Sequence, residues 1–215
     1  MEKCICKVDG IRRGTGFFCK IDEIPVLMTN YHVVNPIYFE KKKYLNIFIN
    51  ENRISININK KQILYSSPTY EYDVMIIKLD ESQNITNNYL EIDKHIYDKE
   101  SEKTYENESI YILHYPNGDK PTISFGYGFN QKDEYKMKHF CNTVPGSSGG
   151  PILSLLSKKI IGIHREGIKD KDGELYNTGT FLKFPLNELN QKKEKNISIT
   201  ENKIILIYIK FYEKF

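Results

Sequence analysis

Seven residues of turn chemistry, Pro145-Gly146-Ser147-Ser148-Gly149-Gly150-Pro151, carry one hydroxyl at their centre. Three glycines permit backbone angles that other residues resist, and two prolines fix the ends of the segment. Such a turn can expose one serine Oγ while its N–H groups face a developing oxyanion. A serine hydroxyl is a weak nucleophile near neutral pH. It needs an imidazole to take its proton and an acid to fix and charge-balance that imidazole. The chain supplies both upstream: His32, after the apolar run Pro25–Asn30, and Asp73, which opens the apolar run Val74–Leu79. The chemistry this set suits is acyl transfer through Ser148, with His32 as base and then acid and Asp73 as its orienter. His95, His114 and His139 lack such a context and read as structural.

Strands must position these residues. Period-two alternation or continuous apolar character marks strands at 2–8, 14–19, 25–30, 44–49, 54–58, 62–65 and 72–79. Seven short strands in the first 80 residues predict an all-β barrel or sandwich. Residues 80–106 are polar and read as a connection. Strands resume at 109–113, 122–127, 137–142, 160–164 and 179–184. Pro185–Lys195 predicts a short helix with proline in its first turn, and 197–215 predicts one or two further strands.

Composition narrows the function classes. The chain has 215 residues, of which 31 are basic and 28 acidic, so no charge excess calls for nucleic acid or an anionic membrane. The clusters Lys41–Lys43, Lys60-Lys61 and Lys192-Lys193 read as solvated faces. No apolar run approaches a membrane span or a signal peptide. The cysteines Cys4, Cys6, Cys19 and Cys141 form neither a disulfide framework nor, with histidine, a zinc pattern. Free thiols, an intracellular (cytoplasmic) location and the absence of any cofactor or metal are the expectations.

The ordered motifs resemble the trypsin/chymotrypsin-like serine protease family. Gly14-Thr15-Gly16-Phe17-Phe18 is similar to the motif that begins its first barrel, and Thr29-Asn30-Tyr31-His32-Val33-Val34 to the segment around its histidine. Asp73–Leu79 is similar to the strand carrying its acid, and Gly146–Pro151 to its nucleophile motif. The resemblance covers roughly residues 5 to 185. It implies two six-stranded antiparallel β-barrels with the site between them, and a protease domain over 1–185. The first barrel would occupy about 1–82, the connection about 83–106 and the second barrel about 107–185, with 186–215 as an extension. It implies His32, Asp73 and Ser148 as catalytic, and the amides of Gly146 and Ser148 as the oxyanion hole. Ser147 stands where many members have Asp, so the ion pair to a newly cut N-terminus used by trypsin-like zymogens is not expected. The short N-terminus agrees with that expectation.

Thr143, five residues before Ser148, and His164, sixteen after it, lie where the family builds its S1 pocket. A hydroxyl and an imidazole there offer hydrogen bonds to a carboxylate or carboxamide. The pair resembles the glutamyl-endopeptidase branch and the picornaviral chymotrypsin-like cysteine proteases. The loop Tyr115–Pro121 is similar to one in the former. The resemblance implies cleavage after Glu, then Gln or Asp. Arg165, next along a strand, should point away from His164. The expected partner is a protein or peptide substrate. The alternative is an inactive or partner-activated module that binds peptides, and residues 186–215 could dock a regulatory partner or form a dimer edge.

Overall fold

The computed structural model describes residues 2–130 and 135–195. Thirteen strands form two antiparallel sheets. The first runs β5-β4-β1-β2-β3-β7-β6, built from β1 (Ile5–Asp9), β2 (Arg13–Ile21), β3 (Ile24–Thr29), β4 (Tyr44–Ile49), β5 (Asn52–Asn57), β6 (Ile63–Ser67) and β7 (Val74–Lys78). The second is a closed barrel, β10-β13-β12-β11-β8-β9. Its members are β8 (Ser109–His114), β9 (Thr122–Asn130), β10 (Lys136–His139), β11 (Pro151–Ser154), β12 (Ile160–Lys169) and β13 (Leu175–Phe181). This is the chymotrypsin-like pair of β units. The first sheet has seven strands, as the sequence pattern gives, where the resemblance implies six. In the second unit β11 was missed in the sequence, because its four residues follow directly on the glycine turn and show only the apolar pair Ile152-Leu153.

Side-chain alternation explains why the central strands of the first sheet read as continuous apolar runs. In β2, Phe18 enters one core with Leu27, Leu45, Ile47, Met75 and Ile77. Its neighbour Phe17 faces the opposite way, into a core shared with Met28, Ile76, Ile112, Ile152, Ile163 and Phe181. Successive strand residues point to opposite faces, so a strand buried on both must be apolar at every position. The two units are therefore joined by apolar packing along the back of β2, β3 and β7. The polar connection is pinned by short bridges to both, Leu90 to Cys19 and Ile92 to Ile160.

Residues 183–195 are helical. Leu186 and Leu189 are buried in the shared core. Glu188 accepts a hydrogen bond from Tyr65 Oη at 3.0 Å, and Lys193 Nζ lies 2.7 Å from Asp22 Oδ2. The helix thus ties the second unit back onto the first. The strands expected over 197–215 lie outside the described residues. Among the described residues no helix is long and apolar enough to cross a membrane.

Because Leu186 is sealed in a core common to both units, Leu186→Ala should cost about 2–5 kcal/mol. A urea titration should show a lower midpoint with an unchanged slope.

Candidate active site

β3 and β7 are hydrogen-bonded neighbours with Thr29 opposite Met75. The turn after β3 and the residue before β7 therefore meet. His32 Nδ1 lies 2.7 Å from Asp73 Oδ2, and the His32 backbone N–H donates to Asp73 Oδ1 at 3.0 Å. Asn30 Nδ2 and the Tyr31 N–H both donate to the Asp73 carbonyl, at 2.9 and 3.3 Å. Asp73 has φ +55°, a left-handed conformation that aspartate tolerates better than most residues. Its side chain is 1% exposed. With the carboxylate as acceptor, His32 Nδ1 carries the proton and Nε2 is left bare, the tautomer a general base requires.

A third group completes the surroundings of the acid. Arg165 lies on β12 where the pairing with β13 is irregular, between His164 and Glu166, and its Nε comes within 3.9 Å of Asp73 Oδ2. Its Nη1 and Nη2 donate to the carbonyls of Glu71 and Thr69, at 3.1 and 2.5 Å. Arg165 thus fixes the loop that presents Asp73 and brings positive charge to a sealed carboxylate. The sequence does not show this partner, because nothing local says that β12 passes beside the 68–73 loop.

The glycine turn around Ser148 is clamped from both units. Thr15 of β2 donates its N–H to the Ser148 carbonyl at 2.7 Å and its hydroxyl to the Gly146 carbonyl at 2.8 Å. The Asn117 N–H donates to the Pro145 carbonyl at 2.6 Å, and the Gly149 N–H to the His164 carbonyl at 3.0 Å. Gly146 and Gly149 have φ +96° and +87°. A Cβ on Gly146 would lie 2.6 Å from the Tyr115 carbonyl, and one on Gly149 would strike the Thr15 carbonyl. Both positions require glycine. The N–H groups of Ser147, Gly149 and Gly150 all have acceptors. Those of Gly146 and Ser148 have none among the described residues, and these are the two for which the family resemblance implies an oxyanion hole. Ser148 Oγ and His32 Nε2 are likewise unbonded among the described residues. Such contacts commonly tighten only when substrate binds.

The two S1 candidates each have a polar partner, in two separate sets of contacts. Thr143 Oγ1 donates to Asn177 Oδ1 at 2.5 Å, and Asn177 Nδ2 donates to the Cys141 carbonyl at 2.8 Å, which fixes the amide's orientation. His164 Nδ1 lies 3.1 Å from His139 Nε2. Burial, reinforced by His139, His114 and His32, holds the His164 imidazole well below its ordinary value. Burial pushes His139 down to about 3. His164 itself is buried, at 2% exposure. Asn177 was missed in the sequence because it lies in a strand far from the turn it serves. Among the described residues no cluster of three or more His, Cys, Asp or Glu could hold a metal ion. All four cysteines are buried and unpaired.

The model of the trypsin-like peptidase domain matches residues 14–163. No curated protein matches the chain. Among solved structures, the serine endoprotease from Yersinia pestis is similar with a TM-score of 0.61 and 15% identity, covering 90% of this chain and 62% of that one. The serine protease domain of the Sesbania mosaic virus polyprotein has a TM-score of 0.60 and 19% identity, covering 84% and 88%. The tobacco vein mottling virus protease has a TM-score of 0.56 and 17% identity, covering 84% and 77%. At these identities the likeness concerns the fold.

Two outcomes follow from this geometry. Arg165→Met strands two carbonyls and removes the cation beside a buried acid, so stability should fall by about 3 kcal/mol and kcat/KM should fall with it. Arg165→Lys should recover only part, because an ammonium cannot span both carbonyls; chemical denaturation with steady-state kinetics measures both. The buried histidines are neutral in the folded protein and take up protons on unfolding. Stability should therefore be at its full value above about pH 6.5 and fall as pH drops towards about 3. A thermal-melt series should show that loss, and His139→Phe should make it shallower.

Proposed function

Because this chain belongs to the trypsin-like peptidase family, we propose that it is a serine endopeptidase that uses His32, Asp73 and Ser148. One observation carries the reading. The His32–Asp73 pair at 2.7 Å flanks a strained turn whose only unbonded amides, among the described residues of that turn from Ser147 onward and at Gly146, are those of Gly146 and Ser148. In this mechanism Ser148 Oγ gives its proton to His32 Nε2 and attacks the scissile carbonyl. Asp73 stabilises the imidazolium, and the two free amides receive the oxyanion. His32 then protonates the leaving amine, and water repeats the sequence to release the acyl group. Each oxyanion donor is worth about 3 kcal/mol in the transition state.

The proposed specificity is a P1 side chain ending in a carboxylate or carboxamide, Glu or Gln ahead of Asp. Hydrogen-bond polarity favours Gln. The Thr143 hydroxyl proton is committed to Asn177, so Thr143 offers lone pairs, which suit an NH2 group. His164 is neutral and brings a hydrogen bond without a charge. A P1 glutamate would place a carboxylate against those lone pairs with no cation from either residue to balance it. The four buried thiols support a reducing, intracellular setting. The unbonded Ser148 hydroxyl favours one second reading, a protease whose site is ordered only when substrate or a partner binds.

A P1 panel tests the proposal, with Ser148→Ala as blank. Turnover should disappear in Ser148→Ala. At about pH 7.5, P1-Gln should be cut faster than P1-Glu. The gap should narrow only as pH falls towards about 4, where most glutamate side chains become neutral and regain a donor. Faster cleavage after Arg or Phe than after Gln and Glu would rule the specificity out. His164→Ala should damage Gln and Glu substrates selectively.

A further inference from the structure

We infer that His114 is a positioning residue for the oxyanion hole, holding the Val144–Ser147 turn in its active shape through a hydrogen bond from Ser147. This rests on the endopeptidase reading above and adds a residue to it. His114 ends β8 directly beneath the nucleophile turn. Its Nδ1 lies 2.7 Å from Ser147 Oγ, and the Val144 N–H donates to the same Oγ at 3.2 Å. The turn closes a second time through the Ser147 N–H, which donates to the Val144 carbonyl at 3.1 Å. Gly146, whose amide is one of the two free donors, lies inside this closed turn.

The partners assign the protons. Ser147 Oγ accepts from Val144, and its own hydrogen has one acceptor among the described residues, His114 Nδ1. His114 is therefore neutral, with its proton on Nε2. Burial, which lowers the tendency of this imidazole to take a second proton, agrees. The cost of the arrangement lies on the other side of the ring. His114 is 2% exposed, and its Nε2 is sealed without a hydrogen-bond partner. A buried unpaired donor typically costs about 1–3 kcal/mol. A leucine at the end of β8 would avoid that cost. What leucine cannot supply is an acceptor for Ser147.

The position of Ser147 gives the contact its purpose. It stands where trypsin-like zymogens carry the acid whose ion pair with a new N-terminus shapes the oxyanion hole. Here a neutral hydrogen bond between two buried residues of one unit occupies that place. The turn is propped by groups already present in the folded chain, with no cleavage needed to create them.

The test uses the full chain with a P1-Gln peptide and a peptide aldehyde, whose tetrahedral adduct places an oxyanion in the hole. Ser147→Ala and His114→Leu should each lower kcat about 10- to 100-fold, with KM changed less than about 3-fold. The aldehyde should bind more weakly by a similar factor. The double variant should be no worse than either single one, because both remove the same contact. His114→Asn sets an amide oxygen near the Nδ1 position and should recover most of the kcat lost in His114→Leu. Additive losses, a rise in KM with kcat intact, or His114→Asn as impaired as His114→Leu would overturn the inference. If His114→Leu does not fold, Ser147→Ala and His114→Asn still decide it. Nitrogen-15 imidazole shifts in Ser148→Ala give a readout that needs no turnover. A bare, hydrogen-bonded Nδ1 with the proton on Nε2 is expected, and a protonated Nδ1 would contradict the contact even if the protease reading stands. Absence of turnover in the wild type together with the expected shifts would remove the protease reading and with it the positioning role assigned to His114.

Discussion

A carboxylate sealed from water has to be held by donors and positive charge, and Asp73 places that demand at the centre of the molecule. With its side chain 1% exposed, it would cost several kcal/mol if left unpaired. Its partners come from three separate places: the turn after β3 supplies His32, the 68–73 loop supplies the backbone frame, and β12 supplies Arg165. Satisfying one carboxylate therefore fixes the first unit against the second. It also fixes the imidazole in the orientation and tautomer that leave Nε2 bare. Fold and chemistry share this constraint, because any arrangement that releases Asp73 to water also releases His32.

The opposite side of the cleft depends on Thr15. It is fully buried in β2, and its backbone and hydroxyl reach the carbonyls of Ser148 and Gly146. The same hydroxyl accepts from the Tyr115 N–H at 3.0 Å, and the Thr15 carbonyl accepts from Thr29 Oγ1 at 2.7 Å. One residue of the first unit thus ties the Ser148 turn to the β8–β9 loop and to the strand leading to His32. The bonding is selective. It uses the turn's carbonyls and leaves the Gly146 and Ser148 amides without an acceptor among the described residues, which is what the proposed oxyanion hole requires.

Residues whose role is set by local chain chemistry were legible in the sequence. The glycine turn, the acid opening an apolar strand and the histidine after another all declare themselves through neighbours one to four positions away. Their order along the chain linked them. The seven strands of the first sheet were legible for the same reason, since alternation is a local signal. What escaped the sequence was set by packing between distant strands. Asn177 orients Thr143, Arg165 reaches Asp73, and His114 meets Ser147, each across the sheet or between units. β11 was hidden by its length and by the turn before it. His114 is the instructive case: as a lone histidine at a strand end it reads as structural, and only its pairing with Ser147 and its sealed, unpaired Nε2 separate it from an ordinary core residue.

The central claim is that Ser148 is a nucleophile activated by His32 and Asp73. Covalent labelling by a peptidyl organophosphonate, read by intact mass and peptide mapping, tests it most directly. The account predicts one adduct per chain, mapped to Ser148, forming much more slowly in His32→Ala and not at all in Ser148→Ala. A wild-type protein that stays unmodified, or one labelled at another residue with Ser148 intact, would contradict it.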